Sequence, residues 1–389
     1  MSSIDMPYPL ATNTWDNDEH EAIKRVINSG NFTMGREVSN FEKIFSEYHK
    51  RKYAVMVNSG SSANLLMVAS LFFKKDSPLQ PGDEVIVPAI SWSTTYTPLS
   101  QYGLKIKFVD VDINTMNFDL EQLSAAISEE TRLILAVNLL GNPNNFNKID
   151  AIIKGRNIYL IEDNCESLGA EFSGKKTGSF GFLSSFSCFF SHHISTMEGG
   201  LILTDDEEIY HVLLCLRAHG WTRDLPTKNL LTGFKSEDPF EESFKFILPG
   251  YNVRPLEFSG AIGVEQLKKL PLFLAERRKN AEIFKNIMGG HPRIIIQTEI
   301  GNSSWFGFSL IVRPDIDYSR NQLREFLDKN GFEYRPIVAG NFTEQKVLEY
   351  MNFKCVGSLK NARHIQRNGL FIGNHHQDFS SKLHLLNAL

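Results

Sequence analysis

The segment Tyr53-Ala-Val-Met-Val-Asn-Ser-Gly-Ser-Ser-Ala-Asn64 is typical of a short apolar strand that turns directly into a helix, which the apolar stretch 65–73 continues. Helices are also predicted before it, over 17–30 and 36–50, and further strands after it, over 84–88, 106–112, 132–138, 158–163 and 199–204. Strands and helical stretches alternate over about the first 265 residues. This order predicts an α/β fold with a mostly parallel mixed sheet flanked by helices.

The pattern changes in the last third of the chain. A polar, irregular segment covers 222–249, helices follow over 255–288, and the stretches 305–313, 319–330 and 365–389 suggest a smaller α+β unit. A chain of 389 residues has room for two domains. We therefore expect a large ligand-binding domain with an N-terminal arm at 1–265 and a small C-terminal domain at 266–389.

Composition excludes several classes of protein. The 41 Lys and Arg against 45 Asp and Glu give a net charge of -4, so there is no global basic field for nucleic acid. No apolar run approaches the ~18–20 residues of a membrane helix, and 1–9 lack the pattern of a signal peptide. The 4 cysteines are scattered, as in reduced cytosolic proteins. The sequence predicts a cytoplasmic protein without nucleic-acid or membrane partners.

Polar, tightly turning residues follow several predicted strands, at 58–64, 88–93, 162–166 and 186–200. In open parallel sheets, ligands bind beyond these carboxyl ends. At the first of them, Gly60-Ser61 opens a helix, where free N–H groups and the helix dipole attract anions. A serine cap without any ligand fits the same residues.

Two features suggest a flat cationic ligand. They are the acidic residues at the end of the strand at 158–163 and an aromatic residue at the end of another strand. Glu162, Asp163 and Glu166 would repel one another unless they meet a cation such as a pyridinium nitrogen. Trp92 could stack on such a ring. A solvated acidic loop and a core tryptophan are the alternatives.

Two adjacent histidine pairs occur, His192-His193 and His375-His376. Neighbours on an extended chain point in opposite directions, so one packed and one exposed imidazole is the simple interpretation of the first pair. The second pair is interpreted as structural or as surface. No HExxH motif or Cys/His cluster supports a metal site.

Taken together in this order, the motifs resemble the fold-type I, PLP-dependent sugar aminotransferases, the DegT/DnrJ/EryC1/StrS family. The resemblance covers essentially the whole chain and includes the segments 14–15, 30–35, 60–61, 88–96, 138–145, 162–163, 187–200, 218–223, 242–246, 249–254 and 333–336. In that family a lysine lies eight residues before the last glycine of the Glu198-Gly-Gly200 run, and here that position is His192. The replacement resembles the branch of the family that dehydrates sugars at C-3.

This resemblance implies an enzyme that binds pyridoxal 5′-phosphate (PLP) and pyridoxamine 5′-phosphate (PMP) without a covalent bond, because imidazole cannot replace the lysine as the anchor. L-Glutamate would be the amino donor, with release of 2-oxoglutarate. The substrate would be a nucleotide-linked 4-keto-6-deoxyhexose, GDP-4-keto-6-deoxy-D-mannose, losing its C-3 oxygen with release of ammonia and without a reductase. The product would serve colitose-type dideoxysugar synthesis for lipopolysaccharide O-antigen. GDP and the mannose configuration rest on the resemblance alone.

The resemblance also implies residue roles. His192 would be catalytic, moving a proton between substrate and cofactor. The cofactor would be held by Gly60, Ser61, Ser187 and Asn252 of the partner subunit at its phosphate, by Asp163 at its ring nitrogen, by Trp92 on one ring face, and by Glu166 nearby. The substrate would be bound by Arg223, Phe244, Glu333 and Arg335, with the arginines on the diphosphate. We therefore expect a homodimer with shared active sites and no bound metal.

Other functions remain compatible with the sequence. One is a nucleotide-sugar 4-aminotransferase, which needs a lysine near position 192, and a related one is a dehydratase acting on another nucleotide-linked or 4-amino hexose. A third is a non-enzymatic sugar-binding protein with the PLP fold. Retention of Asp163, Trp92 and Ser187 argues against the last, since a protein that binds only a sugar needs no partner for a pyridinium ring.

Overall fold

The computed structural model describes residues 7–389. The predicted absence of a signal peptide and the start of the predicted N-terminal arm involve residues 1–6, which lie outside the described residues. The helices are α1 Asn17–Ser29, α2 Arg36–His49, α3 Gly60–Leu71, α4 Ser93–Gln101, α5 Leu120–Ala126, α6 Phe146–Ile153, α7 Glu207–Arg217, α8 Pro239–Glu242, α9 Glu257–Met288, α10 Arg320–Lys329, α11 Lys360–Asn368 and α12 Ser380–Leu383.

The strands include the predicted ones and several short ones that the sequence did not suggest. They are β1 Tyr53–Val57, β2 Glu84–Pro88, β3 Lys105–Val109, β4 Thr131–Val137, β5 Tyr159–Asp163, β6 Glu171–Phe172, β7 Lys175–Lys176, β8 Leu183–Ser187, β9 Gly200–Thr204, β10 Lys228–Asn229, β11 Gly233–Phe234, β12 Ile294–Ile295, β13 Gly307–Val312, β14 Tyr334–Arg335, β15 Phe353–Cys355 and β16 Gly369–Gly373.

The main sheet has eight strands in the order β1-β9-β8-β5-β4-β2-β3-β15. Pairing is parallel from β8 to β15 and antiparallel only where β9 pairs with β1 and with β8. The predicted α/β fold with a mostly parallel mixed sheet is therefore confirmed. Strands β1, β2, β4, β5 and β8 all end at the same edge, so the polar segments that follow them meet there.

Helix α3 begins five residues earlier than the apolar pattern alone suggests, at Gly60. Ser59 caps it, since its side chain accepts a hydrogen bond from the backbone N–H of Ser62. The helix is apolar on almost every face and lies buried against the sheet and α4. Its start is therefore fixed rigidly next to the carboxyl end of β1.

A second sheet, in the order β12-β13-β16-β14, lies in the C-terminal part of the chain. The long helix α9 runs through position 265, so the domain division predicted there remains a prediction. Strand β15 comes from the C-terminal third yet pairs with β3 at the edge of the main sheet. Phe306 and Phe342 of the C-terminal part join one hydrophobic cluster with residues of the main sheet.

The polar segment 222–249 contains the short hairpin β10–β11 and the one-turn helix α8. It is anchored to the body of the protein by Arg217, which contacts both Glu42 and Asp224. None of the helices formed within residues 7–389 is both long and apolar enough to cross a membrane.

Candidate active site

A cavity of about 290 Å³ lies at the edge of the main sheet where the parallel strands end. Its lining includes eight of the residues predicted for the site: Gly60, Ser61, Trp92, Asp163, Glu166, Ser187, His192 and Arg335. The lining also includes residues that were not predicted for the site, among them Asn64, Thr94, Phe189 and Glu198. The structure thus brings together segments that are far apart in the sequence.

The start of α3 forms one wall of the cavity. A Cβ atom on Gly60 would lie 2.6 Å from Cβ of Ser187 and 3.1 Å from Sγ of Cys165, so only glycine fits there. The hydroxyl of Ser61 is 2.8 Å from that of Thr94 at the start of α4. Backbone N–H groups at a helix start together with several hydroxyls form a cradle suited to a phosphate group.

Asp163 lies in the wall at the end of β5 and is almost fully buried. Its Oδ2 accepts hydrogen bonds from Nδ2 of Asn64 at 2.9 Å and from Oγ1 of Thr95 at 2.8 Å. Its Oδ1 accepts one from the backbone N–H of Cys165 at 3.1 Å. These donors fix the carboxylate in one orientation, as a ring-nitrogen partner requires.

Glu162 does not share this environment. Its carboxylate turns to the other side of β5 and accepts hydrogen bonds from the backbone N–H groups of Gly178, Phe180 and Gly181 at 2.7–2.8 Å. Successive side chains on a strand point to opposite faces, which explains the separation. The predicted cluster of three carboxylates around one cation is therefore reduced to Asp163 and Glu166.

Glu166 is partly buried, and its Oε2 accepts a hydrogen bond from the backbone N–H of Leu140 at 3.0 Å. Burial raises the pKa of this carboxyl to about 7, although the Leu140 hydrogen bond and the charge of Arg335 act in the opposite direction. Near neutral pH it can therefore donate or accept a proton. Carboxyls tuned in this way are typical of active sites.

We expect Glu166→Gln to stabilise the cofactor-free protein at high pH. Between the ordinary pKa of 4.5 and about 7, the unfolded carboxyl is ionised while the folded one still holds its proton, so stability falls as pH rises through that window. Gln removes this cost. The free energy of unfolding should rise by about 1–3 kcal/mol at pH 8 and hardly change at about pH 4, below both pKa values. Urea unfolding at both pH values measures it, and an equal change at both would contradict the expectation.

His192 lines the cavity, and its neighbour His193 is buried behind it. The ring of Phe306 meets the His192 ring edge to face at 5.1 Å between centroids. Burial, together with the charges of Arg335 and Arg277, lowers the pKa of His192 to about 3. Nδ1 of His192 is buried and has no hydrogen-bond partner among the described residues. The imidazole is therefore neutral and able to accept a proton.

His193 and both members of the second histidine pair are structural in their contacts. Nε2 of His193 lies 3.1 Å from the carbonyl oxygen of Ser304. His375 is buried, and Nδ1 of His375 and of His376 lies 3.3 Å and 3.4 Å from Oγ1 of Thr12. Within residues 7–389, no three side chains of the metal-binding types come together as a ligand set.

Four residues predicted for the site lie outside the cavity lining: Arg223, Phe244, Asn252 and Glu333. Arg223 and Phe244 both stack on Trp221, the first at 5.1 Å and the second at 5.4 Å, and Phe244 is 74% exposed. Asn252 is also exposed. The carboxylate of Glu333 accepts a hydrogen bond from the backbone N–H of Leu10 at 2.9 Å. Their roles remain predictions.

The residues present fit PLP or PMP. The cradle beside Gly60 suits the phosphate, and the oriented carboxylate of Asp163 suits the ring nitrogen. Trp92 is 55% exposed at the cavity and can cover a ring face. None of the residues that line the cavity within the described chain is a lysine, so they offer no amine for a covalent bond to the cofactor.

Comparison with known proteins identifies close relatives. The chain is 57% identical over its full length to the full-length GDP-4-keto-6-deoxy-D-mannose 3-dehydratase of Yersinia pseudotuberculosis. It is 60% identical to the enzyme of that name from Escherichia coli O55:H7, over 95% of each chain. A crystal structure of GDP-4-keto-6-deoxymannose-3-dehydratase with a trapped PLP-glutamate geminal diamine matches with a TM-score of 0.97 and 58% identity, covering 98% of this chain and 99% of the other.

The family model of the DegT/DnrJ/EryC1/StrS aminotransferases matches residues 13–381. The match includes every predicted site residue, from Gly60 to Arg335. The chain belongs to the DegT/DnrJ/EryC1/StrS aminotransferase family.

Proposed function

We propose that this protein is a PLP/PMP-dependent GDP-4-keto-6-deoxy-D-mannose 3-dehydratase that uses L-glutamate as amino donor. The observation that carries the proposal is the imidazole of His192 in a cavity whose lining has no lysine. The names of the relatives at 57% and 60% identity support it. The substrate loses its C-3 hydroxyl, and the net products are GDP-4-keto-3,6-dideoxy-D-mannose, 2-oxoglutarate and ammonia.

The cofactor is held without a covalent bond to the chain. The N–H groups at the start of α3 and the hydroxyls of Ser61 and Ser187 bind its phosphate, and Asp163 holds a negative charge beside its ring nitrogen. When bound, the ring supplies an electron sink for charge that develops on the substrate. Trp92 covers one ring face, and Glu166 holds or releases a proton close to the ring.

His192 is the residue that moves the proton. Because its imidazole is neutral, it can take a proton at the reacting carbon and return it to the departing C-3 hydroxyl. An imidazole cannot displace the product as a lysine amine does. The amino group therefore leaves with the sugar, and hydrolysis then releases it as ammonia. This difference separates the reaction from ordinary amino transfer, which needs a lysine amine.

The same proposal includes the substrate contacts and the assembly. Arg335 is the cation among the cavity-lining residues and, with Arg223, binds the diphosphate. Phe244 and Glu333 contact the nucleotide sugar. Arg223, Phe244 and Asn252 lie outside the cavity of their own chain. In a homodimer, these residues complete the site of the partner subunit, which explains their position. We place the enzyme in the cytoplasm, in dideoxysugar synthesis for lipopolysaccharide O-antigen.

An anaerobic incubation with PLP, L-glutamate and GDP-4-keto-6-deoxy-D-mannose, followed by mass spectrometry of the nucleotide sugar, tests the proposal. The expected product has lost one oxygen and kept its keto group, and ammonia accumulates. A product with an amino group at C-4 would instead identify an aminotransferase. Absence of 2-oxoglutarate with PLP and glutamate present would favour the sugar-binding protein.

A further inference from the structure

Arg277 on helix α9 is a buried cation without a carboxylate partner. It is 4% exposed, and no Asp or Glu of residues 7–389 lies within ion-pair distance of it. Its Nη1 donates instead to the backbone carbonyl oxygens of Asn374 at 2.7 Å, Phe306 at 3.2 Å and Trp305 at 3.5 Å. Burying an unpaired charge is costly. The backbone segments that accept these hydrogen bonds therefore indicate what Arg277 contributes to the protein.

The segment held by Arg277 supports the histidine pair. The ring of Phe306 contacts the rings of His192 at 5.1 Å and His193 at 5.7 Å. The carbonyl oxygen of Ser304 bonds to Nε2 of His193 at 3.1 Å. The His192 ring has no hydrogen bond at Nδ1, so its orientation depends on ring packing, against Phe306 of this segment and against Phe189 at 5.9 Å.

The same segment supports Glu166. The backbone N–H groups of Ser304 and Phe306 donate to the carbonyl oxygens of Gly141 and Leu140, each at 3.0 Å. The N–H of Leu140 in turn donates to Glu166. Positions 140 and 305 carry non-glycine residues with positive φ, 52° at Leu140 and 46° at Trp305. Such backbone conformations persist only where surrounding contacts enforce them.

We propose that Arg277 is a positioning residue: by holding the carbonyl groups of Trp305 and Phe306, it fixes the His192 imidazole and the Glu166 carboxyl in the cavity. This inference rests on the proposed function. The guanidinium has a second effect through its charge. Asp163, Glu166, Glu198 and Arg335 line the same cavity as His192, and the charges of Arg335 and Arg277 favour the neutral imidazole.

The test compares Arg277→Met and Arg277→Lys with the wild-type holoenzyme. We expect kcat to fall about 10- to 100-fold in R277M, with KM for the nucleotide sugar within about twofold, because the proton-transfer geometry is lost while the binding contacts remain. R277K, which keeps the charge and one donor, should recover part of kcat. Removal of a facing cation raises the pKa of His192, so the acid limb of the pH profile of kcat should move to higher pH in R277M.

The titration of the His192 imidazole provides a readout that does not depend on turnover. It is followed by NMR through the ring-carbon resonance in ¹³C-histidine-labelled protein, and that resonance is assigned by its absence in His192→Asn. Its pKa should be higher in R277M than in the wild type. If R277M does not fold, Phe306→Leu tests the same route, because it removes the ring that packs on His192. It should lower kcat in the same way.

Arg51→Met is the matched control. The Arg51 side chain is also buried, at 6% exposed, and donates to the carbonyl oxygens of Gly181 and Phe182, away from the cavity. R51M should lose thermal stability and keep the wild-type kcat, KM and pH profile. The inference is overturned if R277M, or F306L where R277M does not fold, behaves as R51M does. An inactive wild-type enzyme would instead overturn the proposed function.

Discussion

Replacing His192 by Asn is expected to abolish loss of the C-3 hydroxyl while the protein still binds PLP and PMP. Asn has nearly the shape of one edge of the imidazole, but it cannot accept and return a proton. Since a positioned acid–base group contributes about 10²–10⁴-fold, turnover should fall by about that factor. The phosphate cradle at Gly60 and the carboxylate of Asp163 do not contact His192, so cofactor affinity should change little.

The measurement is the initial rate of dehydration at saturating glutamate and nucleotide sugar, together with the spectrum and dissociation constant of PMP in the same preparation. His376→Asn is the matched control, because that imidazole is also partly buried but packs against Thr12 and Phe273. It should retain the wild-type rate. Full activity in H192N would show that another group moves the proton.

The chemistry of the site could be predicted from the sequence where it depends on a single residue at a single position. The resemblance to the family pointed to the position eight residues before Gly200, and the structure places His192 in the cavity. Gly60 could be placed at the carboxyl end of a strand in the same way, although a serine cap without a ligand fits the same residues.

The residues that orient these groups were not predictable to the same degree. Asn64 and Thr95 lie within quoted segments, yet nothing in their spacing showed that both donate to Asp163 from different helices. Glu162 was grouped with Asp163, although alternation along a strand separates them. Arg277 lies on a long helix whose pattern gives no sign that it supports a loop across the sheet edge.

Replacing Asp163 by Asn is expected to lower kcat by about 10²–10³-fold and to weaken cofactor binding. Asn can keep the hydrogen bonds from Asn64 and Thr95 at its oxygen, so the wall of the cavity should survive. It loses the acceptor for the backbone N–H of Cys165 and the fixed negative charge that keeps a ring nitrogen protonated. Steady-state kinetics and a titration of the apoprotein with PMP measure both effects.

Glu162→Gln provides the matched control for that experiment, because the two carboxyls are neighbours on β5 and differ mainly in the side that they face. The Glu162 carboxylate is fully buried and binds backbone N–H groups of 178–181, so its loss should lower the melting temperature and leave kcat near the wild-type value. If both variants lose activity equally, the carboxylate of Asp163 acts through stability alone. If only D163N loses activity, the reaction uses the charge of Asp163 at the cavity. The two adjacent carboxyls of β5 then have different roles, because successive side chains on a strand point to opposite faces.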